Sequence, residues 1–151
     1  MATIRLATTI NAPIERCFDV SRDIQIHELS TRETNERAIA GKTSGLCELG
    51  DVITWEATHF GVKQRLTVKI TKMNRPYFFE DIMLKGAFKS MRHEHQFKSE
   101  QNHTIMEDVF IYEVPLLALG RIFDRFVLQK YMTKFLQTRN LIIKEVSEKS
   151  V

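Results

Sequence analysis

The stretch that decides the fold is TIMEDVFIY, from Thr104 to Tyr112, which ends shortly before Pro115. Its β-branched and aromatic residues are typical of a strand. About thirty apolar-rich residues at helical spacing follow, with no further strand after them. Much strand sequence closed by one long helix predicts a curved sheet wrapped around that helix. Such an arrangement tends to leave a hollow, which indicates a small and mostly apolar ligand.

Composition favours one globular domain over residues 1–151, because 43% of the residues are hydrophobic and the chain is long enough to bury a core. The net charge is small, 22 − 19 = +3, and the basic residues are dispersed. These features predict no nucleic-acid partner. We expect a monomer or a homodimer.

The two cysteines, Cys17 and Cys47, belong to no paired motif, so we expect reduced thiols. The N-terminus shows no basic and apolar leader, and no apolar run is long enough for stable membrane insertion. A cytoplasmic protein is therefore expected.

The N-terminal third predicts a strand followed by two short helices. Thr3–Ile10 alternates as a strand, and Asn11 is the expected N-cap of the first helix, with Pro13 in its first turn. Ser21 is the expected cap of a second helix that runs to about Leu29.

Alternating apolar residues predict the rest of the sheet. The expected strands are Glu33–Ala40, Asp51–Phe60, Val62–Lys72, Tyr77–Leu84, Phe88–Phe97 and Thr104–Tyr112. Their short connections favour an antiparallel meander. The fold class is thus α+β, with about seven strands around a C-terminal helix and two short helices after strand one.

The apolar face of the C-terminal helical region changes phase near Val127–Leu128. Either the helix bends or breaks there, or its first part is contacted on two sides. We favour a short helix near Leu117–Arg125 that leads into a long one from about Val127. The short segment would form a mobile gate of Leu119, Ile122, Phe123 and Phe126. The long helix would supply a fixed cavity wall of Tyr131, Met132, Phe135 and Leu136.

Several short motifs occur in a fixed order along nearly the whole chain. They are Ile10-Asn11-Ala12-Pro13, Gly50-Asp51-Val52-Ile53-Thr54-Trp55, Phe79-Glu80-Asp81, Gly86-Ala87-Phe88, His93-Glu94-His95-Gln96-Phe97 and Tyr112-x-x-Pro115. Together they resemble the START-like (SRPBCC) superfamily with its helix-grip fold, in particular a bacterial polyketide cyclase-like branch. The chain departs from that branch at Ala87, which is usually Pro, and at Met91, which is usually Trp. The resemblance implies a cavity for a lipid, polyketide or aromatic molecule between the sheet and the C-terminal helix.

Ionisable residues within apolar alternation are the candidates for chemistry. His59, Asp81 and His93 are the catalytic candidates, because a His–Asp pair facing an apolar hollow could act as a general base with its orienting partner. Asp108 needs a partner as well, since an unpaired buried charge is costly. A structural ion pair between strands is the preferred interpretation of these residues.

His93 and His95 share one face of a strand, as two metal ligands would. A third ligand would have to come from His59 or Asp81. Hydrogen bonding to neighbouring strands is the preferred interpretation, so we expect neither a metal nor a cofactor.

Aromatic and methionine side chains complete the expected pocket, since adaptable apolar residues suit varied ligands. The predicted ligand-binding residues are Trp55, His59, Phe79, Asp81, Met83, Met91, His93, Asp108, Phe110, Tyr112, Phe126, Tyr131 and Phe135.

Three functions follow from this sequence. The first is binding of a small hydrophobic molecule, and the second is a cyclase or dehydratase that uses a His/Asp pair in the same cavity. The third is an interaction module in which a basic helix face meets a protein or membrane surface. That face would consist of Arg121, Arg125, Lys130 and Lys134.

Overall fold

A computed structural model describes residues 1–115 and 124–149 of the chain. The strands are β1 (Ala2–Ile10), β2 (Arg37–Gly41), β3 (Val52–His59), β4 (Val62–Asn74), β5 (Phe78–Lys85), β6 (Ser90–Glu100) and β7 (His103–Glu113). The helices are α1 (Ile14–Ser21), α2 (Ile24–Ser30) and α3 (Gln129–Glu148), with a 3₁₀ turn at Arg32–Thr34 and a π-helical turn at Asp124–Leu128.

The seven strands form one antiparallel sheet in the order β1-β7-β6-β5-β4-β3-β2. Each strand from β2 to β7 therefore lies beside its neighbour in sequence, and β1 pairs along its whole length with β7. The helices pack against this sheet. The predicted α+β helix-grip architecture is confirmed, including the two short helices after strand one and the long C-terminal helix.

Alternation along the strands explains which face packs against the helices. In β3, Ile53, Trp55 and Ala57 are buried and share one side. In β4, Val68 and Ile70 are buried, whereas Val62 at the start of the strand is 57% exposed.

The α1 helix closes one end of the sheet through aromatic packing. Phe18 meets Phe79 and Phe97 edge-on, with ring centroids 5.5 and 5.4 Å apart. Ile143 of α3 belongs to the same buried cluster, so β5, β6, α1 and α3 share one packed region.

Both predicted helix caps are wrong. α1 begins at Ile14 after Pro13 without a side-chain cap, and the backbone N–H of Asn11 instead donates to Glu148 Oε2 at 2.8 Å. α2 is capped by Asp23, whose carboxylate accepts from the N–H groups of Gln25 and Ile26. Ser21 and Asp23 are both residue types that cap helices. Because α1 extends through Ser21, Asp23 is the residue that caps α2.

The predicted strand at Glu33–Ala40 begins too early. Arg32–Thr34 forms a 3₁₀ turn, Asn35 takes a left-handed conformation (φ 53°), and β2 starts only at Arg37. At its end Gly41 has φ 71°, and a Cβ there would overlap the carbonyl oxygen of Val52. Only glycine fits this exit from the edge strand.

The phase change near Val127–Leu128 coincides with a change of helix type. Asp124–Leu128 is π-helical, and the regular helix α3 continues directly from Gln129. A π turn contains more residues than an α turn, so it rotates the apolar face without a break. The predicted short helix at Leu117–Arg125 and the gate residues Leu119, Ile122 and Phe123 lie wholly or largely outside the described residues.

Candidate functional site

A partly enclosed cavity of about 500 Å³ lies between the sheet and α3. Its lining in the described part of the chain comes mainly from β3 to β7 and from α3, with a contribution from α2. Most of it is apolar, including Ile53, Val68, Ile70, Phe110 and Leu136. The inward side chains of successive strands meet here because alternate residues of a strand share a face.

Most of the predicted ligand-binding residues line this cavity: Trp55, His59, Phe79, Asp81, Met91, His93, Phe110, Tyr131 and Phe135. The predicted wall of α3 also lies there, since Met132 and Leu136 join Tyr131 and Phe135. The faces of β5 and β6 that carry Asp81 and His93 are therefore directed towards the cavity.

Four predicted residues are not part of the described lining. Asp108 and Tyr112 are buried beneath it, and Tyr112 packs against Phe88 and Phe110. Met83 is half-buried beside the core, while Phe126 in the π turn is 70% exposed. The exposed ring of Phe126 contributes no wall to the cavity in this structure.

A buried polar cluster forms the floor over β5, β6 and β7. We call it the His–Asp cluster, and it consists of Asp81, His93, His95, Asp108, Arg139 and Asn140. His93 Nε2 lies 2.8 Å from Asp108 Oδ1, and His95 Nε2 lies 2.9 Å from Asp81 Oδ1. Each pair joins neighbouring strands, so the cluster ties three strands together.

Asp108 is the centre of this cluster. Its second oxygen, Oδ2, accepts from Asn140 Nδ2 at 2.8 Å, and Arg139 Nη1 lies 3.5 Å from Oδ1. Burial alone would favour the neutral acid, but the hydrogen bond from His93, the adjacent His95 and the charge of Arg139 hold the pKa of Asp108 well below its ordinary value. The carboxylate is therefore ionised and accepts hydrogen bonds only.

The two histidines respond to this environment in opposite ways. Burial and the neighbouring His95 lower the pKa of His93 to about 4, despite its bond to Asp108. Burial also opposes the charged form of His95, yet its contacts with Asp108 and Asp81 outweigh that cost and raise its pKa. The ring centroids are only 3.8 Å apart, so the two rings do not both take up a second proton and become positively charged at neutral pH.

The two carboxylates act on His95 differently. Asp81 makes a direct hydrogen bond to Nε2, whereas Nδ1 lies 3.5 Å from Asp108 Oδ1 and has no hydrogen-bond partner among the described residues. We therefore interpret the approach of Asp108 as electrostatic. Phe79 covers the His95 ring in a stack at 4.0 Å and shields it.

The cluster also contains potential metal ligands. One atom each from Asp81, His93 and His95 lie within 4.8 Å of one another, whereas His59, the other predicted third ligand, bonds elsewhere. Asp81 and His95 already bond to each other, and Arg139 adds a positive charge to the cluster. These contacts engage His93 Nε2, His95 Nε2 and Asp81 Oδ1 in hydrogen bonds within the cluster.

A second polar pair lies on the other side of the cavity. His59 Nδ1 and the Tyr131 hydroxyl are 2.7 Å apart, and Phe60 packs against the Tyr131 ring at 4.4 Å. Burial lowers the pKa of His59. The three catalytic candidates are thus separated, because Asp81 and His93 share the His–Asp cluster and His59 joins α3 instead.

The sequence predictions missed His27, Glu36 and Arg139 of the lining, together with Asn140 beneath it, and named His95 only as a potential metal ligand. His27 pairs with Glu36 at 2.6 Å and covers Trp55 at 4.2 Å. The helical spacing could have indicated that Arg139 is buried. It follows Leu136 by three residues and precedes Ile143 by four, so the three share one helix face.

Solved structures with the same fold come from bacteria and plants. The protein TTHA0849 of Thermus thermophilus is 19% identical, with a TM-score of 0.78 over 95% of each chain. A START superfamily protein from Mycobacterium smegmatis is 11% identical, with a TM-score of 0.74 over 97% of each chain. The major latex-like protein 151 of Panax ginseng is 14% identical, with a TM-score of 0.66 over 97% of each chain.

These likenesses confirm that the chain has the START-like helix-grip fold. At such low identity they establish the fold alone. No family model matches the sequence, and no curated protein matches it. None of the helices in the described ranges combines the length and the apolar character needed to cross a membrane.

Proposed function

We propose that the protein binds a small hydrophobic molecule, such as a lipid, a polyketide or an aromatic compound, in the cavity between the sheet and α3. The observation that carries this proposal is the cavity itself, about 500 Å³ with a mostly apolar lining. Ligand pockets typically enclose about 300–1,000 Å³ and combine apolar walls with a few polar groups. The START-like fold supports the same function.

Burial of apolar surface supplies the driving force. Each Å² of apolar ligand surface removed from water contributes roughly 25 cal/mol, so affinity depends on how completely the walls enclose the ligand. The adaptable side chains Met91 and Met132 both line the cavity. Their flexibility suits ligands of more than one shape.

A blocking substitution tests the proposal. Ala57 is buried on β3 and lines the cavity, so Ala57→Phe places a ring in the space that a ligand needs. Ala7 lies on β1 with its side chain exposed, and Ala7→Phe is the matched control. We expect the wild type and Ala7→Phe to bind 8-anilinonaphthalene-1-sulfonate, with much weaker binding by Ala57→Phe.

Native mass spectrometry after exposure to a lipid extract provides the second measurement. We expect one apolar molecule per wild-type chain and none on Ala57→Phe. Equal binding of the fluorescent probe by all three proteins would place it outside the cavity and contradict the proposal.

A second function, acid–base catalysis of the cyclase or dehydratase type, is supported by a specific observation. His93 is bonded to an ionised Asp108, and both His93 and Asp81 line the cavity. A neutral imidazole oriented by a carboxylate can accept a proton from a bound substrate, but the lowered pKa makes His93 a weaker base than an ordinary histidine. For any substrate that is turned over, His93→Gln should lower kcat about 100-fold or more. Unchanged turnover would eliminate this function.

The interaction-module alternative receives less support. Lys130 and Lys134 are exposed on α3, but Arg121 and the side chain of Arg125 lie outside the described residues. A charged helix face is usually solvated. The cytoplasmic location, the oligomeric state and the lack of a nucleic-acid partner stay predictions of the sequence.

A further inference from the structure

The His93 ring has one nitrogen whose role the structure defines. Asp108 is ionised, so its oxygens only accept hydrogen bonds. The 2.8 Å contact between His93 Nε2 and Asp108 Oδ1 therefore requires the proton to lie on Nε2. Asp108 is itself held in place by Asn140, which fixes the direction of this bond.

The other ring nitrogen, Nδ1, is consequently a hydrogen-bond acceptor. His93 is neutral near pH 7 because its pKa is lowered to about 4, so Nδ1 carries a lone pair and no proton. It makes no hydrogen bond to a described residue. It is also not fully enclosed, unlike Nδ1 of His95. Since His93 lines the cavity, Nδ1 is accessible from the cavity.

We propose that the ligand is an apolar molecule bearing a hydroxyl group that donates a hydrogen bond to His93 Nδ1. This inference deepens the proposed binding function and rests on it. A neutral hydroxyl fits because Nδ1 needs a hydrogen-bond donor, and a charged group would be costly to bury in a cavity whose lining is mostly apolar. Phe110 and Phe79 lie beside the two histidine rings and favour an aromatic or similarly flat body for the ligand.

Asp81 is the competing acceptor. Its Oδ1 atom is bonded to His95, but its second oxygen makes no hydrogen bond to a described residue. A ligand hydroxyl could donate to that oxygen instead. The two acceptors are distinguished by changing each one separately.

The experiment compares two probes of similar shape, 2-naphthol and 2-methylnaphthalene, by titration calorimetry. The measured quantity is the preference, defined as the Kd of 2-methylnaphthalene divided by the Kd of 2-naphthol. His93→Phe keeps a ring but removes the acceptor, so we expect the preference to fall about tenfold. Asp81→Leu removes the competing acceptor, so a preference lost in this variant but kept in His93→Phe would assign the hydroxyl to Asp81. His103→Phe, at a histidine outside the described lining of the cavity, is the control and should leave the preference unchanged.

Each outcome bears on a different part of the account. A preference that survives His93→Phe, or that is lost in Asp81→Leu instead, would overturn the inference while the binding function stands. Failure of the wild type to bind either probe would contradict the binding function and this inference with it.

Nuclear magnetic resonance keeps the inference testable if His93→Phe does not fold. Long-range ¹H–¹⁵N correlation on the wild type should show His93 with its proton on Nε2. Addition of 2-naphthol should shift the Nδ1 resonance, whereas 2-methylnaphthalene should shift it far less. A proton on Nδ1 in the ligand-free protein, or equal shifts with both probes, would overturn the assignment.

Discussion

The two halves of the cavity floor offer a ligand different things. Over β5 to β7 the floor carries the His–Asp cluster, in which carboxylates, imidazoles and an arginine are bonded to one another. Over β3 and β4 it is formed by Ile53, Val68 and Ile70. The comparison shows that one sheet provides both polar groups for recognition and an apolar surface for enclosure. The residue types at the inward positions of each strand decide which of the two it provides.

The two halves should also differ in what a single substitution costs. Asp108→Ala removes the carboxylate that pairs with His93 and Asn140, leaving buried polar groups without partners. We expect a loss of about 3–5 kcal/mol in the free energy of unfolding, measured with urea. Glu107→Ala, at the adjacent exposed position, should change it by less than about 0.5 kcal/mol. Similar losses in both variants would contradict a central role for Asp108.

Within the polar half, the two histidines should have opposite effects on the pH dependence of stability. The pKa of His93 is lowered from 6.5 to about 4, so the unfolded chain takes up a proton first as the pH falls. The stability contributed by neutral His93 is present above pH 6.5 and is lost towards pH 4, by about 2–3 kcal/mol. His95 has a raised pKa, so its contribution is present below 6.5 and is lost as the pH rises through its folded value.

Urea unfolding of His93→Gln and His95→Gln from pH 9 to pH 5 measures this contrast. The destabilisation caused by His93→Gln should shrink as the pH falls below 6.5, whereas that caused by His95→Gln should shrink as the pH rises above it. Parallel curves for the two variants would show that the histidines are not distinguished as proposed.

The apolar half should respond only to lost volume. Ile70→Ala removes a buried side chain that already borders the cavity, so its cost should lie at the low end of such substitutions, about 2 kcal/mol. This loss should be the same at pH 5 and pH 8, unlike the losses in the polar half. Val62→Ala on the same strand, where Val62 is exposed, is the control. A pH-dependent loss in Ile70→Ala would mean that the halves are coupled.

The smallest effect is expected at the His59–Tyr131 pair, which bridges β3 and α3. Tyr131→Phe removes a hydroxyl that lies 2.7 Å from His59 Nδ1 in a half-buried position. The free energy of unfolding should fall by about 1 kcal/mol or less. Tyr77→Phe removes an exposed hydroxyl as a control. A loss as large as that of Asp108→Ala would place the polar centre of the cavity at this pair instead.

The sequence predicted the fold because alternation is a local property. The inward positions of Ile53 and Val68 could be recognised within single strands. It could likewise be recognised that Asp81 lies on the same strand face as Phe79. The phase change near Val127–Leu128 was also visible, although a π turn and not a break accounts for it.

The pairing inside the site could not be predicted in the same way, because it depends on strand register. Asp81 lies opposite His93, and His95 lies opposite Asp108, yet the hydrogen bonds run diagonally between the other combinations. Arg139 and Asn140 reach the cluster only because α3 crosses the sheet at that point. Sequence alone identifies the polar residues on an inward face but not their partners.

The central claim is that the cavity encloses an apolar ligand, and the heat-capacity change on binding tests it most directly. Titration of the wild type with 2-methylnaphthalene at several temperatures should show one site and a negative heat-capacity change, the marker of buried apolar surface. Ala57→Phe should remove this binding and Ala7→Phe should retain it. Undiminished binding by Ala57→Phe with the same heat-capacity change would contradict the claim.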